Sequence, residues 1–565
     1  MKKSDLIILA VAAVAVVAVV LVFGGGGIGG GGDDDEASGT KPGGDSLKVS
    51  FAYSPEKEVL LKPLIERFNS EAQEVGGKPV FVEAEVVSSG EAETKIAKDR
   101  LKPVIWSPAS SLWGRLLNFD ADRPFAARES PSIVRTPLVI AMWEPFARVL
   151  GYPKKKIGFE QIIRLARSKR GWAAFGKPEF GPFKLVHTNP DFSTSGLSAV
   201  VAEYYATTGK NEGLKEGDVT ARKARETVRA IERSIVHYGD TTLFIADQMR
   251  KRGPGYASAV AMEEATLLEF NRNRGSQPKL VALYPPEGTF YSDNPFIVLD
   301  APWVSSQERE GAKKFQSFLE DQITPERAAE AGFRPADVKR APAAPITKAN
   351  GADPKQPQRV LGLPEPRVLD RIRRTWRADR KPANVLLVFD TSGSMAEEDR
   401  LERAKDGLKV FLREASPNDR IGLVGFSDQV RVLEPVARPL RENRAKLVEK
   451  VDGLIADGGT AVYDATNLGF NSVRDLRDKE RINAVVVLTD GEDTESSLSA
   501  DEVVRNIGKQ GDSEDQVRIF TIAYSPEASG AKEALERISK ESGGQPYEGD
   551  TEDIESVYRS ISSFF

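Results

Sequence analysis

The C-terminal third of the chain alternates between two hydrophobic periods. Residues 385–389 form an unbroken apolar run of strand length, as expected of a strand buried on both faces. Residues 421–426, 482–488 and 517–524 repeat that pattern, and 430–436 suits an edge strand. Between them apolar positions recur at helical spacing: Leu401, Ala404, Leu408 and Phe411, then Leu440, Leu447, Val451 and Leu454, and finally Ile554, Val557, Tyr558 and Ile561. Strands alternating with helices predict a mostly parallel, open, doubly wound α/β sheet covered on both faces. A second α/β region is expected over residues 47–338. It opens with an alternating strand at 47–53, a helix carrying Leu60, Leu61, Leu64, Ile65 and Phe68, and a strand at 80–87. Residues 339–382 hold Pro342, Pro345, Pro354, Pro357, Pro364 and Pro366 with few apolar residues between them. That pattern predicts a linker with one short helix over 368–376, its arginines forming a solvated face. The last domain is then 383–565.

At the other end, residues 6–23 carry no charge, Lys2 and Lys3 precede them, and Asp33, Asp34, Asp35 and Glu36 follow. Residues 1–23 are therefore expected to be an N-terminal transmembrane helix, single-pass, with a cytoplasmic N-terminus and the bulk of the chain extracytoplasmic. A cleaved signal peptide is the alternative. Residues 24–46, rich in Gly and Asp, read as a flexible tether. With a net charge of −5, the chain has no basic field for nucleic acid. The absence of cysteine excludes disulfides, thiolate metal sites and a cysteine nucleophile. The two histidines, His187 and His237, read as structural residues.

The candidate chemistry sits at the ends of the C-terminal strands. Asp390-Thr391-Ser392-Gly393-Ser394 follows the first of them, Thr460 closes Gly458-Gly459-Thr460, and Asp490 lies in Thr489-Asp490-Gly491. Ligands bind outside the carboxyl ends of strands in open α/β sheets. Oxygen donors alone suit Mg2+, Mn2+ or Ca2+ better than zinc or copper. These three motifs in order resemble a von Willebrand factor type A domain with its metal-ion-dependent adhesion site. The resemblance implies that Ser392, Ser394 and Thr460 bind the ion, that Asp390 and Asp490 act largely through water, and that a partner's carboxylate takes an open position.

In the first folded region a short strand leads into Trp106-Ser107-Pro108, a good start for a helix, with Ser110, Ser111 and Trp113 following. Ser193-Thr194-Ser195 precedes an apolar helix from Leu197. Residues 104–113, 189–196 and 284–299 together look like a two-lobed bacterial extracellular solute-binding protein, of the type 2 periplasmic-binding class. That resemblance implies one lobe of 47–136 plus the segment after 280, and a second lobe of 137–279. Helix N-termini at Ser107, Ser110 and Ser111 and at Ser193, Thr194 and Ser195, facing one cleft, would suit a small anionic solute. Trp113 is expected to pack rather than to line the cleft.

The function expected is non-enzymatic: a membrane-anchored binding or adhesion protein with a cation site for an acidic partner protein and a cleft for a solute. The alternative is the solute-capture subunit of a transport system. A hydrolase built on Asp390 and Asp490 is disfavoured, because the motif offers no general base.

Overall fold

The computed structural model describes residues 44, 46–511, 513, 515–524, 529–551 and 554–565. The expected anchor and nearly all of the expected tether lie outside the described residues. Among the described residues no helix is long and apolar enough to cross a membrane.

The first region has two sheets. In one, strand Leu47–Tyr53 lies between Lys78–Val86 and Ile105–Ser107, parallel to both, and Ile297–Val298 closes the edge antiparallel to Ile105–Ser107. The second is built on Val134–Trp143, which pairs antiparallel with Ala259–Glu263, Leu280–Leu283 and Tyr291–Ser292. The chain passes from one sheet to the other near Thr136, as the resemblance implies. The return comes later than expected. Leu280–Leu283 still pairs with Ile140, Ala141, Met142 and Trp143 of the second sheet, so the crossing falls between Ser292 and Ile297.

The last region is one sheet in the order Val430–Glu434, Arg420–Phe426, Ala383–Asp390, Ile482–Thr489, Val517–Tyr524, Pro546–Gly549. All of its neighbours are parallel except Val430–Glu434, which is the expected edge strand. The short edge strand Pro546–Gly549 has no counterpart in the hydrophobic pattern. The apolar runs divide residue by residue. Val385, Leu387 and Phe389 face the helices Arg400–Glu414, Leu440–Asp452 and Ile554–Ser562. Leu386 and Val388 face Val462–Arg474, Ala500–Gly508 and Ser529–Ser542. Continuous hydrophobicity is thus the sum of two period-2 faces, both covered.

Residues 339–382 are not a free linker. Ile346, Ala352, Leu361, Leu369, Ile372 and Trp376 are buried in the same apolar core as the first region. The helix Pro366–Asp379 starts on a proline, which suits the first helical position, where no backbone donor is needed. Its arginines are only partly the expected solvated face: Arg367, Arg374 and Arg377 are exposed, but Arg373 is buried and several reach acids of the first region. Arg373 donates to Asp191 at 3.0 Å and approaches Asp120 at 3.4 Å, Arg377 donates to Asp191 at 2.6 Å, and Arg371 donates to Glu216 at 3.0 Å. The chain end completes the join. Phe564 is buried, its ring 5.2 Å from that of Phe244, and its carbonyl accepts from the Tyr238 amide at 3.4 Å. The Ser563 carbonyl accepts from Asn189 Nδ2 at 3.1 Å. The C-terminal domain therefore rests against the loop that carries Asn189 and Asp191.

Candidate cation site and interlobe cleft

Parallel register brings two acidic strand ends side by side. Phe389 pairs with Leu488, so Asp390 comes level with Thr489, whose Oγ1 donates to Asp390 Oδ2 at 2.5 Å. The Ser392 amide donates to Asp390 Oδ1 at 2.7 Å. Ser392 and Ser394 hydroxyls lie 3.1 Å apart, and Ser394 Oγ donates to Asp490 Oδ1 at 2.7 Å. A methyl group placed on Gly491 would stand 3.8 Å from both Ser394 Oγ and Thr460 Oγ1, so the third loop reaches the same place. Backbone bonds stitch the loops together: Gly393 N to Gly458 O at 2.9 Å, Asp457 N to Thr391 O at 2.8 Å and Thr494 N to Thr460 O at 2.8 Å. All five residues expected as cation ligands are gathered here.

The donor set fits a hard divalent cation. Oxygen separations of 2.7 and 3.1 Å are those of neighbouring ligands around an ion whose oxygens stand about 2.1 Å away. Asp390 and Asp490 are both buried. Burial, and then the charge of Asp490, push the Asp390 carboxyl up to about 7 against hydrogen bonds from Thr489 and Ser392. Such a pair favours a nearby positive charge. Sequence reasoning missed Arg400, whose Nη1 donates to Asp490 Oδ2 at 3.2 Å from a buried position. It lies on the helix that follows the motif, and its reach to the site is a matter of how that helix is seated.

The cleft between the lobes differs from expectation. Of the six residues proposed for it, Ser193 and Thr194 line the cavity. Ser107 ends a strand and is buried; the helix expected at Ser107 begins at Leu112, with Ser111 as its cap residue. Ser110 accepts from the Leu112 amide at 3.4 Å, the Ser111 amide donates to Asp293 at 2.8 Å, and Ser195 is bonded to Thr188 at 2.8 Å. Trp113 packs as expected, fully buried, and also ties the lobes by donating to Thr194 Oγ1 at 2.7 Å. Among the residues not foreseen, Ser54, Glu56, Ser89, Asp240, Thr242 and Glu263 line a cavity of about 20 Å³, room for little more than a water molecule. Lys57, fully buried, donates to Asn294 at 2.9 Å and to Glu56 at 3.3 Å.

Closure depends on Gly90. Its amide donates to the Phe192 carbonyl of the other lobe at 2.9 Å. A Cβ there would lie 2.2 Å from the Asp191 carbonyl oxygen and 2.7 Å from the Trp113 ring. Gly90→Ala is expected to hold the lobes apart and enlarge the radius of gyration measured by small-angle scattering. An unchanged radius would mean that the 189–192 loop yields instead.

Burial, then the charge of Glu56, push Glu263 up to about 7, and burial pushes Asp240 up to about 6. Between the ordinary carboxylate range and 7, the folded chain keeps a proton on Glu263 that the unfolded chain releases. Stability from this group is therefore present at low pH and is lost as pH rises through that window. Glu263→Gln removes the dependence. Relative to wild type it is expected to gain stability by about 1.4 kcal/mol for each pH unit between the ordinary carboxylate range and about 7, and to gain no more above it, read from urea midpoints at pH 5.5 and 8. Equal pH dependence in the two proteins would contradict this.

The family model for bacterial extracellular solute-binding proteins matches residues 49–334, and that for the von Willebrand factor type A domain matches 385–492. Similar curated proteins include inter-alpha-trypsin inhibitor heavy chain H4 of Bos taurus, 27% identical over 169 residues, which are 29% of this chain and 18% of that protein. Calcium-activated chloride channel regulator 1 of Bos taurus is 29% identical over 182 residues, 32% of this chain and 19% of that protein. The chain thus spans less than a fifth of the length of these relatives. Among solved structures, a periplasmic thiamin-binding protein is 9% identical, covering 60% of this chain and 98% of that chain with a TM-score of 0.42. A von Willebrand factor type A protein from Catenulispora acidiphila is 22% identical, covering 32% of this chain and 42% of that chain with a TM-score of 0.29.

Proposed function

Because the chain belongs to the bacterial extracellular solute-binding protein family and carries a von Willebrand factor type A domain behind that region, we propose that it is a tethered, extracytoplasmic binding protein with two sites. In the C-terminal domain Asp390, Ser392, Ser394, Thr460 and Asp490 hold Mg2+, or Mn2+ or Ca2+ in its place. The ion supplies a Lewis-acidic position to which a partner protein brings a carboxylate. The residues of this chain fix the oxygens, bury the two acids and exclude bulk water. The observation that carries this reading is the meeting of the 390–394 and 489–491 loops at one set of oxygens, with Thr460 of a third loop beside Gly491 and a buried acid at the end of each of two neighbouring strands. The N-terminal segment anchors the protein in the cell membrane.

When the lobes part and widen the cavity between them, the cleft of the first region takes a small solute with a positively charged group. Glu56, Asp240 and Glu263 line it, and Lys57 is the buried amine beside them. That balance favours a cationic group over the anionic solute expected from the serine-rich helix starts. Such a solute binds the ionised acids, so its affinity rises with pH between 5 and 8.

The test of the cation reading uses full-length protein and an array of peptides ending in Asp or Glu side chains, with amide counterparts as controls. Retention in Mg2+, loss in chelator and loss with the amide peptides are expected. Equal retention of acidic and amide peptides in chelator would sink the reading.

A further inference from the structure

The core of the second lobe holds an ionisable cluster that neither the cation site nor the cleft uses. His187 follows strand Leu185–Val186, Glu203 lies in helix Thr194–Thr208, and Glu232 ends helix Arg222–Glu232. All three are buried, and one ligand atom from each lies within 4.8 Å of the others. Two carboxylates and an imidazole in an apolar core carry a heavy desolvation cost unless something gathers them.

Each residue is oriented from behind. His187 Nδ1 sits 2.7 Å from the Thr188 carbonyl, to which it can only donate, and this turns the Nε2 lone pair inward. Tyr238 donates its hydroxyl to Glu232 Oε2 at 2.6 Å, leaving Oε1 facing His187 Nε2 at 3.2 Å. Glu203 is 2% exposed and its Oε2 has no hydrogen-bond partner. A carbonyl behind the imidazole and a hydroxyl behind a carboxylate are what outer partners of metal ligands provide. A cavity of about 20 Å³ touches both His187 and Glu203, leaving space beside them inside an otherwise packed core.

We propose that His187, Glu203 and Glu232 hold a divalent transition-metal ion, with zinc the best match. One imidazole nitrogen and two carboxylate oxygens are common zinc donors, and they differ in kind from the all-oxygen set at Asp390. A contraction of about an ångström brings the three atoms to the spacing of ligands held about 2.0–2.2 Å from zinc. The ion gives Glu203 its missing partner. It also pins the strand end and two helices from which the 188–195 loop reaches the cleft, and being enclosed it is acquired during folding. This inference does not depend on the cation site.

The experiment uses full-length protein carrying Asp390→Ala, so that the other site is silent, refolded with Zn2+ or with chelator and then dialysed. About one equivalent of zinc is expected to remain, and to be absent in His187→Gln and Glu203→Gln. Tyr238→Phe is expected to weaken zinc binding by about 10–100-fold. Substituted Co2+ is expected to show nitrogen coupling in pulsed EPR that disappears in His187→Gln. Glu203→Gln copies the shape of a protonated glutamic acid, so it keeps the fold whichever account holds. Protein that retains no zinc after refolding, and melts at the same temperature with and without it, would overturn the proposal. Glu203 would then be a protonated acid in an apolar core.

Discussion

Full-length protein carrying Asp390→Asn is expected to lose Mg2+-dependent partner binding, yet to unfold in chelator at a urea concentration no lower than wild type. The two halves have one cause. Asp390 is buried, with a hydroxyl and a backbone amide as its hydrogen-bond partners. Asparagine keeps the oxygen that accepts from the Ser392 amide, and the Thr489 hydroxyl can turn to accept from its amide. Without an ion, the substitution removes a buried negative charge and its desolvation cost. With an ion, it removes a charge that holds the ion largely through water, a loss expected to be about 10–100-fold in ion affinity. Wild-type partner binding in the variant, or a lower midpoint in chelator, would show that Asp390 serves the fold instead.

Arg373→Ala is expected to destabilise the protein by about 3 kcal/mol and to expose residues 339–382 to protease. Arg373 is only 10% exposed at its side chain, donates to Asp191 and lies beside Asp120. Arg377 is the remaining partner of Asp191 and is 47% exposed, so screening by water weakens it. Burial alone would raise the Asp191 carboxyl; the Arg377 and Arg373 guanidinium groups outweigh it and hold it below the usual carboxylate range. Stability from Asp191 is thus present above the ordinary carboxylate range and is lost as pH falls through its depressed value. In the variant the Asp191 carboxyl is held less far below that range, so less stability remains to be lost on acidification and the gap to wild type narrows as pH falls. Because Asp191 shares its loop with Ser193 and Thr194, the variant is also expected to weaken solute binding. Urea midpoints at pH 4 and 7 with timed proteolysis check this, and wild-type resistance in both would contradict the clamp.

The C-terminal domain is the most legible part of the molecule. Its strands are unbroken apolar runs, and its oxygen donors sit at their ends, where local pattern and tertiary position coincide. Arg400 was hidden because a basic residue at a helix start is usually solvated, and only the seating of the helix turns it toward Asp490. Residues 339–382 misled for a different reason. Ile346, Ala352 and Leu361 are too widely spaced to register as a stripe, the short stripe of Leu369, Ile372 and Trp376 is flanked by arginines that make it look like a spacer helix, and prolines that look like linker residues instead shape a chain laid against a packed surface. The cleft was least legible. Ser and Thr mark helix starts with or without a ligand, whereas the acids that line it, Glu56, Asp240 and Glu263, come together only through the topology of two lobes. The same holds for His187, Glu203 and Glu232.

The most direct test of the central claim is a Mn2+ titration followed by EPR, on full-length wild type beside Asp490→Ala and Thr460→Ala. The account predicts a bound ion in an all-oxygen environment in the wild type, missing from both variants. Mn2+ binding that is the same in all three proteins would contradict it.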